Sequence, residues 1–418
     1  MKSFDQKTHL IRRIAVISVH GCPLVVPGAG AAGGMNVYLR EIAPLLSDRG
    51  ICVDIFTRDH EGTEVEDTYL RENVRIIHVP VEYPNLEKEK VLPSIPSIIG
   101  WIRSFAENEG FGYDLIHSHY WLSGLVGSSL ANHFNIPHAA TYHTIGAVKE
   151  AFYESEETFD RKSTEASIAI SSDKIMAFTH NEAEMIQNLF QVSSEKIAVA
   201  PGGVDLNMFK PSDPDIARKA LDVDADQKII LYVGRLEPFK GPDILIRAIG
   251  DIPGAILVIV GGQNGDSGME WLKNLSNELG VKDKVIFCEA MPQHLLPSYY
   301  TAAHVLAIPS HHESFGLVCL EAMACGTPVV AADVGALSTL VQDRKTGFLV
   351  KKQHPAEYTK TLNQTITSSD DEFNMLRIAA LNFAMDQGWD HATDKLLLAY
   401  HQMVALKGLN SKVVSCVA

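Results

Sequence analysis

The sequence predicts an α/β protein built from two Rossmann-like, doubly wound domains facing across a cleft, and three observations predict it. Short apolar runs rich in β-branched residues alternate with longer helical patterns from end to end, as parallel sheets covered on both faces require. Two strong runs, 14–19 and 229–233, each lead into a loop containing glycine, so each opens a unit. Between them lies Pro201-Gly202-Gly203-Val204-Asp205, a turn-forming cluster suited to an interdomain connection. The boundary accordingly falls between an N-terminal domain, 1–203, and a C-terminal domain, 204–385.

In the first unit the strand runs are 14–19, 53–56, 115–116 and 174–178; in the second they are 229–233, 256–260, 285–287, 305–308 and 329–331. A last segment, about 386–408 with Trp389 near its start, has the pattern of an amphipathic helix, and 409–418 reads as a frayed end. The chain has 418 residues, 46% of them hydrophobic and 21% charged, enough to bury two cores. A formal net charge of −15 argues against nucleic acid or an anionic membrane as the main partner. The six cysteines fall in no metal-ligand spacing and read as buried free thiols. Residues 1–10 lack the apolar core of a signal peptide, and no apolar run approaches the ~18 residues of a membrane span, which points to the cytoplasm.

Gly28-Ala29-Gly30-Ala31-Ala32-Gly33 fits the G-x-G-x-x-G dinucleotide fingerprint, but Pro23 and Pro27 lie between it and the strand, and the candidate acid Asp54 sits inside a strand run. An NAD-dependent oxidoreductase is therefore a weak alternative. Gly33 and Gly34 serve better as a close-approach corner before a helix in which Met35, Tyr38, Ile42 and Leu45 share a face; Gly50 closes it, and Pro44 should kink it.

The loop Gly234-Arg235-Leu236-Glu237-Pro238-Phe239-Lys240-Gly241 follows the strand run 229–233 at its carboxyl end. There Arg235 and Lys240 can reach one diphosphate, the first as a fork and the second as a point charge. The run Glu313-Ser314-Phe315-Gly316-Leu317-Val318-Cys319-Leu320-Glu321 predicts a helix over 315–324 closed by Gly326, with the amides of Phe315, Gly316, Leu317 and Val318 free to face a phosphate. Glu313 and Glu321 can accept hydrogen bonds from hydroxyl pairs at the two ends of a nucleotide-sugar. His117 and His119 alternate along a strand end, but no third ligand accompanies them, so no metal is expected.

Taken together, AGGMNVY at 32–38, HSHYWLSG at 117–124, HTIGAVK at 143–149, the Arg235…Lys240 pair and the E-x7-E spacing of Glu313 and Glu321 resemble the large retaining glycosyltransferase family four. That resemblance spans nearly the whole chain and implies the GT-B architecture, with the last helix crossing back to the first domain. It implies a nucleotide-sugar donor, with UDP the expected nucleotide, and a small phosphorylated acceptor such as inositol phosphate or a hexose phosphate. It implies no cofactor and no metal, and leaves the oligomeric state open, a homodimer included. The Asp222-Val223-Asp224-Ala225-Asp226 run then reads as a solvated turn rather than a metal site.

By the same likeness the catalytic group is His143, Arg235, Lys240 and Glu313. The donor is held by Gly33, Gly34, Asn36, Arg235, Lys240, Glu313, Phe315, Gly316, Leu317, Val318 and Glu321, with Glu321 on the ribose. The acceptor is held by Asn36, Lys88, Tyr120, Thr144 and Arg161, with Lys90 a rival for Lys88. The acidic stretch 151–159 and the loop 262–268 depart from the family's pattern and leave the acceptor open. A nucleotide-sugar epimerase on the same fold is the main alternative; it would need no acceptor pocket.

Overall fold

In the computed structural model, residues 11–25, 27, 33–60, 68–82, 90–152, 158–220, 223 and 227–417 are described. The first sheet holds β1 (Arg13–Ile17), β2 (Cys52–Arg58), β3 (Thr68–Arg71), β4 (Val74–Val79), β5 (Leu115–His119), β6 (His138–Thr141), β7 (Lys174–Ala177) and β8 (Ile197–Val199). Its order is β3-β4-β2-β1-β5-β6-β7-β8, parallel throughout except where β3 meets β4. The second holds β9 (Lys228–Val233), β10 (Ala255–Val260), β11 (Val285–Cys288), β12 (Val305–Ile308), β13 (Val329–Ala332) and β14 (Gly347–Val350), all parallel, in the order β11-β10-β9-β12-β13-β14. Both are doubly wound. Their order reverses at β1/β5 and β9/β12, where ligands bind in such sheets.

Five strands escape the sequence reading. β3, β4, β6, β8 and β14 carry charge, histidine, alanine or glycine where the others are β-branched: VRIIHV in β4, HAAT in β6, GFLV in β14. Neighbouring strands and helices supply the burial that local propensity does not.

Asp54, the acid weighed for a dinucleotide, is 1% exposed and lies mid-strand, opposite Ala15. It accepts hydrogen bonds from Arg13 (3.0 Å), from Arg75 (2.8 and 3.0 Å) and from the Tyr113 hydroxyl (2.8 Å). Those donors use both of its oxygens in a buried structural network. Residues 28–32 of the fingerprint lie outside the described residues, as does most of the Asp222–Asp226 run. The helix Gly34–Asp48 runs unbroken through Pro44, with Arg49 at its cap and Gly50 (φ 82°) just beyond.

The chain passes between the two sheets twice, and the crossings lie side by side. Val204 bridges Gly388, and the Val204 N–H donates to the Gln387 carbonyl at 2.9 Å. The final helix, Trp389–Val417, then packs on the first sheet: Trp389, Leu396, Ala399, Tyr400 and Met403 share a core with Ile14, Leu39 and Val53. Burial of each large apolar side chain is worth roughly 1.5–3 kcal/mol. The surface pair of Arg49 with Asp394 (2.7 Å) contributes about 1 kcal/mol at most. Apolar packing therefore decides where this helix docks.

Candidate active site

The carboxyl ends of the two sheets face one another across a cleft lined on one side by Gly33, Gly34 and Val37 and on the other by residues following β9, β10 and β12. Gly33 caps the helix Gly34–Asp48. A Cβ on Gly33 would lie 3.7 Å from Arg235 Nε, and one on Gly34 would lie 3.7 Å from Leu317 Cδ1, so these glycines keep the wall thin where the domains approach. Asn36 does not line the opening; its amide braces the corner. Its oxygen accepts from the Gly33 N–H at 3.0 Å, and its Nδ2 donates to the Cys22 carbonyl at 2.7 Å. The side chain expected to meet a ligand is thus engaged within the corner in this structure.

Arg235 follows β9 directly. Its Nη1 donates to Glu237 at 2.6 Å, and its carbonyl accepts from the Tyr232 hydroxyl at 2.7 Å. The loop can turn this closely because Gly261, at the end of β10, has no side chain: a Cβ there would lie 1.9 Å from the Gly234 carbonyl oxygen. Lys240 ends a short 3-10 turn and donates to Glu313 at 2.6 Å, with the two side chains 19% and 15% exposed. Burial opposes a charge on Glu313. Lys240, His312 and the Gly316 amide outweigh it and hold the carboxyl below its ordinary value. The Lys240–Glu313 pair is thus a charged fixture of the cleft, with donors and acceptors to spare on both groups.

The helix after β12 begins later than its sequence suggests. It spans Leu317–Ala324, because Gly316 takes a left-handed turn (φ 71°) as its N-cap. The amides free at its start are therefore those of Leu317 and Val318, and both residues line the cleft. The Gly316 amide is committed to Glu313. Phe315 lies outside the helix, and its ring packs against Phe178 (centroids 3.8 Å apart) and His143 (6.2 Å). Glu321, one face further along the helix, is 5% exposed. It accepts from the Tyr300 hydroxyl at 2.7 Å and from Gln293 Nε2 at 2.8 Å. Burial raises its pKa; those two bonds and the charge of Arg40 oppose the rise.

Beside the cleft, two residues adopt backbone that only glycine takes readily. Tyr120 (φ 75°, ψ 159°) follows β5 and caps the helix Trp121–Phe134, and His143 (φ 59°) follows β6. Strain of this kind costs of order 1–3 kcal/mol per residue and gathers at functional sites. Tyr120 follows a strand of the first sheet's switch point, and His143 follows the strand beside it. His143 is 9% exposed, with Nε2 2.9 Å from His119 Nδ1. Burial first, then the charge of His20, lowers its pKa to about 3, so its ring is neutral. His117 is occupied by Tyr400 (2.6 Å) and Thr141 (2.8 Å).

Tyr120, Thr144 and Arg161 do come together. The Arg161 guanidinium stands 5.1 Å from the Tyr120 ring centroid and donates to the Thr144 carbonyl and hydroxyl, both at 3.1 Å. It is not a bare cation, however: Arg161 also donates to Glu165 at 2.8 Å, and the two are 4% and 1% exposed. Glu165 in turn accepts from the Gly146 amide at 2.9 and 3.1 Å. Lys88 lies outside the described residues; its rival Lys90 is exposed and precedes the short 3-10 turn Leu92–Ser94 that leads into the helix Ile95–Glu109. Sequence reasoning misses Tyr232, Gln293, Tyr300 and Glu165, which hold the named residues in place. None of them carries a motif, and only the fold brings them in.

A cleft with two cations, two carboxylates and a helix N-terminus can bind a diphosphate flanked by polyhydroxylated groups. Residues 32–208 match the model of Glycosyltransferase Family 4, and residues 213–380 match Glycosyl transferases group 1. The D-inositol 3-phosphate glycosyltransferase of Stackebrandtia nassauensis is 35% identical over 416 residues, covering 96% of this chain and 94% of that protein. The protein of the same description from Acidothermus cellulolyticus is 39% identical, covering 94% and 91%. Among solved structures, the sucrose-phosphate synthase of Thermosynechococcus elongatus superposes with a TM-score of 0.88 at 31% identity, covering 94% of this chain and all of that one. Anabaena Alr3699/HepE, solved with UDP and glucose, shares the fold at TM-score 0.74 and 21% identity, covering 93% of this chain and 99% of that one.

Proposed function

Because this chain belongs to glycosyltransferase family 4 and is a GT-B glycosyltransferase, we propose that it moves a sugar from a nucleoside diphosphate, UDP foremost, to a small phosphorylated polyol, with retention of configuration. The observation that carries this reading is the convergence of Arg235, Lys240, Glu313, Glu321 and the free amides of Leu317 and Val318 on one cleft. Arg235, Lys240 and the helix N-terminus face the leaving diphosphate and stabilise its growing charge. Glu313 accepts from hydroxyls of the transferred sugar, and Glu321 from those of the ribose. The acceptor hydroxyl attacks the anomeric carbon on the face the diphosphate leaves: the new C–O bond forms, the bond to the diphosphate breaks, and the acceptor's proton passes to a phosphate oxygen. With those charges in place, the diphosphate needs no metal ion.

Tyr120, Thr144 and Arg161 form the acceptor end of this reading. Relatives named for D-inositol 3-phosphate match 94–96% of the chain at 35–39% identity in the cases above, which favours an inositol phosphate over a hexose phosphate. The comparisons lend nothing to an epimerase or an oxidoreductase. There is no helix long and apolar enough to cross a membrane among the described residues.

The test is a transfer screen without added magnesium or manganese. Purified protein is given UDP-glucose, UDP-N-acetylglucosamine, GDP-mannose or ADP-glucose, each with and without inositol 3-phosphate or fructose 6-phosphate. Nucleotide release that depends on one phosphorylated acceptor is the expected result, and the anomeric coupling of the product reports retention. Failure to bind any of the four nucleotides would sink the reading.

A further inference from the structure

Three side chains that the proposed reaction does not use meet at the carboxyl ends of β1, β2 and β4, which are adjacent in the sheet. Cys22 follows β1, His60 follows β2, and His78 lies in β4. Cys22 Sγ and His78 Nε2 are 3.6 Å apart, and one ligand atom from each of the three residues lies within 4.8 Å of the others. The His60 and His78 rings are 5.5 Å apart and nearly perpendicular, at 83°. Among the described residues, no other group of three or more His, Cys, Asp or Glu has this closeness.

The distances suit a small tetrahedral ion. Bonds of ~2.3 Å to sulfur and ~2.0–2.1 Å to nitrogen set neighbouring ligand atoms roughly 3.3–3.6 Å apart. The Cys22–His78 separation already has that value, and the ligand atom of His60 lies within 4.8 Å of both. Cys22 is only 4% exposed. The backbone amides of Leu24 and Val25, two and three residues on, turn toward its sulfur. Burial raises the thiol's pKa and those amides oppose the rise; ligation of a cation would release the thiol proton. Imidazole and thiolate together select zinc-class ions over magnesium or calcium.

We propose that Cys22, His60 and His78 form a binding site for a zinc-class divalent cation, with one position left to water. The ion would staple the ends of three strands. Its influence would pass to the cleft through a short path: the Cys22 carbonyl accepts from Asn36, and Asn36 accepts from the Gly33 amide at the cleft wall. None of the three ligands lines the cleft, so the ion supports the glycine corner and takes no part in the transfer. This proposal stands apart from the assigned reaction.

Metal analysis of untagged protein after gel filtration, followed by cobalt substitution, tests it. About one zinc per chain is expected. Cobalt(II) loaded into the metal-free protein should give visible bands of tetrahedral intensity and a near-ultraviolet thiolate-to-cobalt band. Cys22→Ser should lose the near-ultraviolet band. His60→Gln and His78→Gln should fail to bind at cobalt concentrations that saturate the wild type. Circular dichroism of each variant establishes that it is folded; if Cys22→Ser does not fold, the wild-type spectrum and the histidine variants decide. A folded wild type that retains no metal and gives no cobalt bands overturns the proposal. So does a charge-transfer band that persists in Cys22→Ser.

Discussion

Replacing Lys240 by Met removes the cation that keeps Glu313 charged, and stability, its pH dependence and the reaction should all respond. Lys240 and Glu313 meet at 2.6 Å with side chains 19% and 15% exposed. Removing one partner of a fully buried pair costs about 3–5 kcal/mol, and residual solvent contact here brings that to roughly 2–3 kcal/mol. In the wild type the Glu313 carboxyl is held below its ordinary value. Its contribution to stability is therefore complete above the unfolded value and is lost as pH falls through the folded one. In Lys240→Met the dominant remaining influence is burial, which raises the folded value above the unfolded one, so stability now falls as pH rises between them. The deficit against wild type should widen as pH rises above the unfolded carboxyl value in thermal denaturation. If Lys240 also faces the leaving diphosphate, kcat should drop about 10²–10³-fold. A deficit independent of pH would refute the electrostatic account of Glu313. A fall in kcat of less than about tenfold would refute the role at the diphosphate.

Tyr300→Phe removes one of the two donors on Glu321 and leaves a buried carboxylate short of a partner. It should cost about 1–2 kcal/mol of stability and raise KM for the donor more than it lowers kcat, as steady-state kinetics with varied donor will report. Arg161→Met strands the buried Glu165 and should destabilise by about 3–5 kcal/mol, whereas Arg161→Met with Glu165→Leu should recover most of that in chemical denaturation. Acceptor KM should stay high in both if Arg161 binds the acceptor, and return with stability if it does not. Burial holds His138, His143 and His304 neutral, with pKa values near 3. Each folded value lies below the unfolded one. The stability this contributes is full above about pH 6.5 and is lost as pH falls toward 3, by up to ~1.4 kcal/mol per unit for each group. Melting temperature should therefore fall steadily below neutrality, and His138→Gln should flatten the slope; an unchanged slope counts against a neutral buried His138.

Most of the fold is legible because parallel strands buried on both faces are largely apolar, and β10 and β12 are wholly so, as are β1 and β9 beyond a charged first residue. β4 and β6 are hidden because Arg75 and His138 interrupt them. Each of those side chains is satisfied by a partner distant in sequence, Asp54 for Arg75 and Ser118 for His138. The cleft residues Arg235, Lys240, Glu313 and Glu321 are legible for a different reason. They lie in short motifs directly after strands, where the connection to the sheet leaves little freedom in where they point. The helix start at Leu317 is not legible in the same way. Whether Gly316 takes a left-handed turn depends on Glu313, whose carboxylate claims the Gly316 amide and is itself held by a lysine 73 positions away.

Competition for a side chain is equally invisible in the sequence. Asn36 stands in a motif at the mouth of the cleft, and its side chain can hydrogen-bond a ligand. What the motif cannot state is the competition for that side chain. A helix that begins at a glycine corner must satisfy the Gly33 amide and the Cys22 carbonyl, and Asn36 meets both at 3.0 and 2.7 Å. Leaving either group buried and unpaired would cost about 1–3 kcal/mol, more than the roughly 1 kcal/mol of one net hydrogen bond to a ligand. The backbone therefore wins the side chain. The histidines near Cys22 are obscured more completely still. Cys22 and His78 are 56 positions apart, so no spacing rule applies to them. Sheet register alone brings them together: Thr57 pairs with His78, which sets His60 just beyond the end of β2 and beside β4, while β1 delivers Cys22 on the other side of β2. Function that rests on register can be read only once the strands are paired.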